Sequence, residues 1–153
     1  MIIENATMED VLPLVKLAVV MFNESPNYGR YNDFDGGKVF DILVNLVDSD
    51  SGIVIVCRDD SGEIVGGFVG GVDVMWFCRT TKVMYDNALF IHPAHRGGMT
   101  AVNLLKEAFR QAREKGASQA QVTNTTGVFS KHVERLYQYV GMEHVGGFYK
   151  LDL

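Results

Sequence analysis

Seven consecutive residues hold the densest chemistry in the chain: His92-Pro93-Ala94-His95-Arg96-Gly97-Gly98. The run before them, Ala88 to Ile91, is apolar and reads as the end of a strand. Pro93 stops that strand because it has no N–H to give to a ladder. After the glycines, Val102, Leu105, Ala108, Phe109 and Ala112 recur at helical spacing, with Lys106, Glu107, Arg110 and Arg113 on the opposite face. A strand, a basic glycine-rich turn and a helix start therefore follow one another. Free N–H groups in the first helical turn, together with the positive end of the helix dipole, favour an anion at such a point. The spacing is neither a P-loop nor GxGxxG. No Lys-Ser or Lys-Thr follows the glycines, and no Gly stands three residues after Gly98, which disfavours nucleoside triphosphates and NAD.

Other reactive residues are scattered. Cys57 and Cys78 lie in apolar strand-like runs without metal spacing and read as buried thiols. Tyr137 falls on an apolar helix face with Val133, Leu136 and Val140, where unaided physics makes it a core tyrosine. His132 reads as solvated. No Ser–His–Asp arrangement and no metal set can be assembled. The formal net charge is −5 over 153 residues, and no stretch is densely basic, which argues against nucleic acid. With 47% apolar residues the chain suits one globular domain, 1–153. Neither a signal peptide nor a membrane-length apolar run is found, so a reducing, cytoplasmic setting is expected.

The elements that must position these groups follow from periodicity and punctuation. Met1 to Asn5 reads as a short strand. Thr7 looks like an N-cap ahead of a helix carrying Val11, Leu14, Val15, Ala18, Val19 and Phe22. Asn23 to Gly37 is polar and aperiodic, and reads as a loop: either a plain connector or, through Tyr28, Arg30, Tyr31 and Asp33, the acceptor-side lip of a site. Lys38 to Val47 resumes helix. Gly52 to Arg58 and Glu63 to Phe77 form a hairpin about Asp59-Asp60-Ser61-Gly62. Gly66, Gly67, Gly70 and Gly71 lie inside that second strand and suit bending or close packing. Val83 to Ile91 is the next antiparallel strand. Gly116 ends the central helix, and Ala120 to Asn124 forms a parallel crossover strand. Ser130 to Val140 is a last helix, stopped by Gly141. Met142 to Leu151 reads as a closing strand broken at Gly146-Gly147. The order is β-α-α-β-β-β-α-β-α-β, an α/β arrangement with a mixed, mostly antiparallel sheet flanked by helices.

Two segments carry a resemblance. His92 to Ala101 resembles the acyl-CoA-binding segment of the GNAT superfamily of N-acyltransferases, whose pattern is Arg or Gln, two residues, Gly, one residue, then Gly or Ala. Arg96 takes its first position and Ala101 its last. Met99 replaces the central Gly, and Gly97 and Gly98 supply permissive backbone instead. Leu136 to Met142 resembles the family's Tyr, three residues, Gly and a hydrophobic residue. Arg96 and Tyr137 lie about forty residues apart, as in the family.

The resemblance implies a GNAT fold and an acetyl-CoA-dependent N-acetyltransferase in which a primary amine attacks the thioester directly. It implies donor contacts from Phe90, Ile91, His92, Arg96, Gly97, Gly98, Met99, Thr100, Ala101 and Asn124, with main-chain groups of Phe90 and Ile91 pairing to pantetheine amides. It implies that the Tyr137 hydroxyl protonates the departing thiolate. The family often carries a Glu or His where this chain has Asn87. With Leu89 and Ile91 inward, strict alternation also turns Tyr85 inward and Asp86 outward. The amine's proton is then expected to leave through water near Asn87 and Tyr85, and Asp86 enters only if a bulge rotates the strand. The expected acceptor is a small-molecule or protein amine, with no nucleic acid, membrane or metal, and a homodimer is allowed. Asn87 and Met99 favour the alternative, a catalytically weak acyl-CoA-binding or interaction domain, whereas Arg96 and Tyr137 favour the enzyme.

Overall fold

Both faces of the run Ile53-Val54-Ile55-Val56-Cys57 are apolar, so the strand they form needs cover on both sides. A computed structural model describes residues 1–153 and shows that cover. All five residues are buried in strand β2, Gly52–Arg58. It is one of five, with β1 (Ile2–Asn5), β3 (Ile64–Val74), β4 (Lys82–Ile91) and β5 (Ala117–Gln121). The sheet order is β1-β2-β3-β4-β5. The first three pairings are antiparallel and β4–β5 is parallel. Helices α1 (Val11–Glu24) and α2 (Gly36–Asp48) cover one face. There Val11, Leu14, Val15 and Leu43 pack on Val54 and Val56. Helices α3 (Thr100–Glu114) and α4 (Ser130–Tyr139) cover the other. Leu104, Leu105, Ala108 and Ala112 meet Ile53, Ile55, Phe68, Met84 and Ile91, and Leu136, Tyr137 and Val140 close over them.

Local chemistry sets the element ends. Thr7 and Asp10 form a reciprocal capping box ahead of α1, and the buried Asp10 carboxylate also accepts from Arg58 at 2.7 Å. The Asp35 side chain accepts from Lys38 N–H at 3.0 Å and caps α2. The glycines of β3 serve close packing: a Cβ on Gly70 would lie 2.1 Å from the Tyr85 carbonyl oxygen.

Two expectations are corrected. The parallel strand starts at Ala117, directly after Gly116 at φ +85°, and ends at Gln121, three residues earlier than the periodicity suggests. Residues Met142 to Leu151 form no strand. Val145, Phe148, Tyr149 and Leu151 are exposed, and β5 stays a sheet edge. The reason lies in β5 itself: Ala-Ser-Gln-Ala-Gln is polar and largely exposed, so it offers a closing strand no apolar face to bury.

Candidate active site

The site is built where β4 and β5 part. β5 pairs only with Lys82 to Tyr85, so from Asp86 onward that edge of β4 is open. The other edge stays bound to β3. His92 N–H donates to the Val65 carbonyl at 2.8 Å. Antiparallel alternation then turns the main chain of Phe90 toward β3 and those of Leu89 and Ile91 toward the open edge. The main-chain groups free on the open edge are therefore those of Leu89 and Ile91, and the expected pairing through Phe90 is corrected, its groups being turned to β3.

Beyond the strand, Pro93–His95 make one turn of 3-10 helix, in which Ala94 N–H donates to His92 Nδ1 at 3.3 Å. Gly97 and Gly98 follow with φ of +113° and +63°. These conformations suit glycine, and they let Met99 take φ −101° as the N-cap of α3. No side chain caps this helix, whose first backbone bond is Asn103 N–H to the Met99 carbonyl at 2.9 Å. The six successive N–H groups of Gly97, Gly98, Met99, Thr100, Ala101 and Val102 thus have no acceptor within the protein. Nothing lies within 4 Å of where a Cβ would stand on Gly97 or Gly98, so the cradle is open. The Met99 amide is among these free groups, although the residue is not a glycine.

At the inner end of the opening, the ladder is irregular. Val69 pairs with Ala88 and Gly70 with Asp86, leaving Asn87 as an extra, exposed residue on β4. This β-bulge reverses the parity of the strand. Met84 before it and Leu89 and Ile91 after it all pack on the α3 side, so Asp86 shares that face and Tyr85 takes the other. The expected inward pair, Asn87 and Tyr85, is corrected: Asn87 is bulged out, the Tyr85 ring lies over Gly71, and Asp86 is the inward carboxylate.

Asp86 is tied to Tyr137 through one residue that sequence reasoning missed. Thr123 N–H donates to Asp86 Oδ1 at 3.0 Å, and the Tyr137 hydroxyl donates to the Thr123 carbonyl at 2.7 Å. Burial pushes the Asp86 carboxyl above the ordinary carboxylate range, against the lowering effect of the Thr123 hydrogen bonds. Burial, and secondarily the charge of Asp86, raises the Tyr137 phenol well above its ordinary value. Tyr137 is therefore a protonated phenol throughout the neutral range.

The remaining predicted residues have other partners. Asn124 Nδ2 donates to the Ser130 carbonyl at 3.0 Å and braces the start of α4. The Arg96 guanidinium donates to both carboxylate oxygens of Glu24, each at 2.5 Å, and its Nε to the Ile91 carbonyl at 2.9 Å. That hydrogen-bonded pairing holds the Glu24 carboxyl below its usual range. The loop after α1 is stitched to the β5–α4 loop. Ser25 Oγ donates to the Thr126 carbonyl at 2.5 Å, Asn27 Nδ2 to the Thr125 carbonyl at 2.7 Å, and Tyr28 Oη to Thr125 Oγ1 at 2.7 Å. Arg30 forms a forked ion pair with Asp152, while Tyr31 and Asp33 are exposed.

The model of the acetyltransferase (GNAT) family matches residues 17–142, most of the chain. The chain belongs to that family. The matched span contains the open β4 edge, the amide cradle, Asp86 and Tyr137. No protein of curated function matches in sequence. Among solved structures, the tetramutant of the BH1408 protein from Bacillus halodurans is 17% identical, with a TM-score of 0.77 over 100% of both chains. The aminoglycoside acetyltransferase HMB0005 from an uncultured soil metagenomic sample is 20% identical, with a TM-score of 0.72 over 99% of this chain and 97% of that one. The aminoglycoside N-acetyltransferase AAC(6')-Iy, solved in complex with CoA, is 14% identical, with a TM-score of 0.75 over 99% and 93%. At such identities the likeness establishes the GNAT fold. No helix of this GNAT chain is long and apolar enough to cross a membrane.

Proposed function

We propose that this GNAT-family chain is an acetyl-CoA-dependent N-acetyltransferase that acts on a primary amine by direct attack on the thioester. One observation carries the reading. The open edge of β4 runs from a half-buried carboxylate and phenol at its inner end to six unpaired N–H groups at its outer end. The outer end suits a diphosphate. The edge suits an extended, amide-bearing arm, and the inner end holds an acid and a base.

Acetyl-CoA supplies an activated acetyl thioester when bound. The amides of Gly97 to Val102 orient the diphosphate, and Leu89 and Ile91 align the pantetheine along β4. Asp86 accepts the amine's proton, directly or through one water, because it is the carboxylate that the bulge brings to the inner end. Tyr137 gives its proton to the sulfur as the thiol leaves. The favoured acceptor is a small cationic amine. The chain is acidic overall, and several structures sharing the fold are aminoglycoside N-acetyltransferases.

The test is release of free thiol from acetyl-CoA in the presence of single amines: aminoglycosides, polyamines, amino acids and lysine peptides. Amine-dependent thiol release, with the acetylated amine seen by mass spectrometry, is expected. CoA binding without thiol release for any amine would leave only the acyl-CoA-binding reading.

A further inference from the structure

Arg96 adjoins the amide cradle, yet its guanidinium is already engaged. Both terminal nitrogens donate to Glu24 and Nε donates to Ile91. The guanidinium lies 5.4 Å from the Phe90 ring centroid and 5.7 Å from that of Phe129. Side-chain exposure is 26% for Arg96 and 25% for Glu24. Forked Arg–carboxylate contacts in such partly desolvated places are strong ones. Glu24 lies outside every motif that marks the donor site, 72 residues from Arg96 in sequence.

We propose that Glu24 is a donor-selectivity residue: its carboxylate latches Arg96 across the mouth of the β4 opening, and the donor's diphosphate displaces it. The proposal rests on the acetyl-CoA reading above. A carboxylate and a diphosphate compete for the same guanidinium fork. Arg96 Nε covers the Ile91 carbonyl, an acceptor on the open edge that an arriving pantetheine N–H needs. The latch also has a firm mount. Glu24 is the last residue of α1, and the next residue, Ser25, is 2% exposed and bonded to Thr126. A simple phosphate offers Arg96 an anion but nothing for the strand edge. A donor bringing both diphosphate and strand-pairing amides offsets the loss of the Glu24 contact. The latch therefore selects against phosphates that lack the arm.

The experiment is calorimetric titration of wild type, Glu24→Gln, Arg96→Ala and the double variant with CoA and with inorganic pyrophosphate. Each variant is first checked for folding by circular dichroism and thermal melting. Glu24→Gln should bind CoA about tenfold tighter than wild type, and pyrophosphate should gain at least as much. Arg96→Ala should bind CoA more weakly, and adding Glu24→Gln to it should change nothing. Unchanged or weaker CoA binding by folded Glu24→Gln would overturn the proposal. So would an equal gain in the Arg96→Ala background, which would mark a general charge effect. A measurement on the unaltered protein covers poor folding of a variant. The Arg96 Nε–Hε resonance should move on CoA saturation, and a stationary resonance would overturn the latch. CoA failing to bind wild type at all would overturn both the latch and the reading beneath it.

Discussion

Tyr137 and Asp86 share a backbone neighbour, Thr123, and burial raises the pKa of both. The duties proposed for them differ because their ordinary values differ. A phenol raised from about 10 remains a proton donor, whereas a carboxylate whose pKa is raised is a stronger base than an ordinary one. Tyr137→Phe keeps the ring packing and removes the hydroxyl. Turnover should fall about a hundredfold with CoA affinity retained, as steady-state kinetics beside calorimetry will show; full activity would remove Tyr137 from the chemistry. Asp86→Asn tests the bulge. The folded-state pKa of Asp86 lies above its unfolded value, so the protonated form favours folding and that stability is lost as pH rises through the folded pKa. Asp86→Asn should therefore melt at or above the wild-type temperature at neutral pH, with the difference vanishing in acid, while turnover falls at least a hundredfold. Wild type should show a rising limb in its rate–pH profile above the ordinary carboxylate range. A rising limb unchanged in Asp86→Asn would return the proton to water alone. Sequence alternation could not find this role, because a bulge belongs to a pair of strands. The one hint was that Met84 and Leu89, both apolar, differ in parity. Thr123 and Glu24 left no signal at all, since each acts through contacts distant in sequence.

The loop between α1 and α2 was legible as a loop by its polarity and lack of periodicity, but its fastening was not. Ser25, Asn27 and Tyr28 bind the loop that carries Thr125 and Thr126, and Arg30 binds Asp152. Tyr28→Phe and Arg30→Ala should raise the acceptor KM severalfold and leave CoA affinity nearly constant. Equal losses in both would make the loop purely structural. At the opposite end of α1, Asp10 is buried and pairs with Arg58, which also holds Glu4. Burial raises the Asp10 carboxyl, but hydrogen bonds from Thr7 and Arg58 together outweigh it and hold it low. That stability is present above the unfolded pKa and is lost as pH falls through the folded one. Asp10→Ala should cost about 1–2 kcal/mol in urea unfolding at neutral pH, through the lost cap and the lost Arg58 hydrogen bond, Arg58 keeping its pairing with Glu4. A loss under half a kcal/mol would show the pair to be a surface contact. The cap was readable from Thr7-Met8-Glu9-Asp10; the cross-sheet partner was not.

At the scale of the molecule, one break in one ladder opens the candidate site. β4 leaves β5 after Tyr85, and the gap joins α4's tyrosine to α3's uncapped start. The strands and helices up to α4 were legible because apolar period and glycine punctuation agreed. The closing strand was not, because its formation depends on what β5 offers, and β5 is polar. The fold and the glycine turn together make the central claim, that this gap is a donor slot. It is tested most directly by titrating CoA into isotope-labelled protein and following backbone amide resonances. The amides of Gly97 to Val102 and of Leu89 and Ile91 should shift strongly, and that of Phe90, turned toward β3, should shift least among them. Saturating CoA that leaves Gly97 to Val102 in place, or moves only residues at the far end of the sheet such as Lys82 and Lys115, would contradict the account.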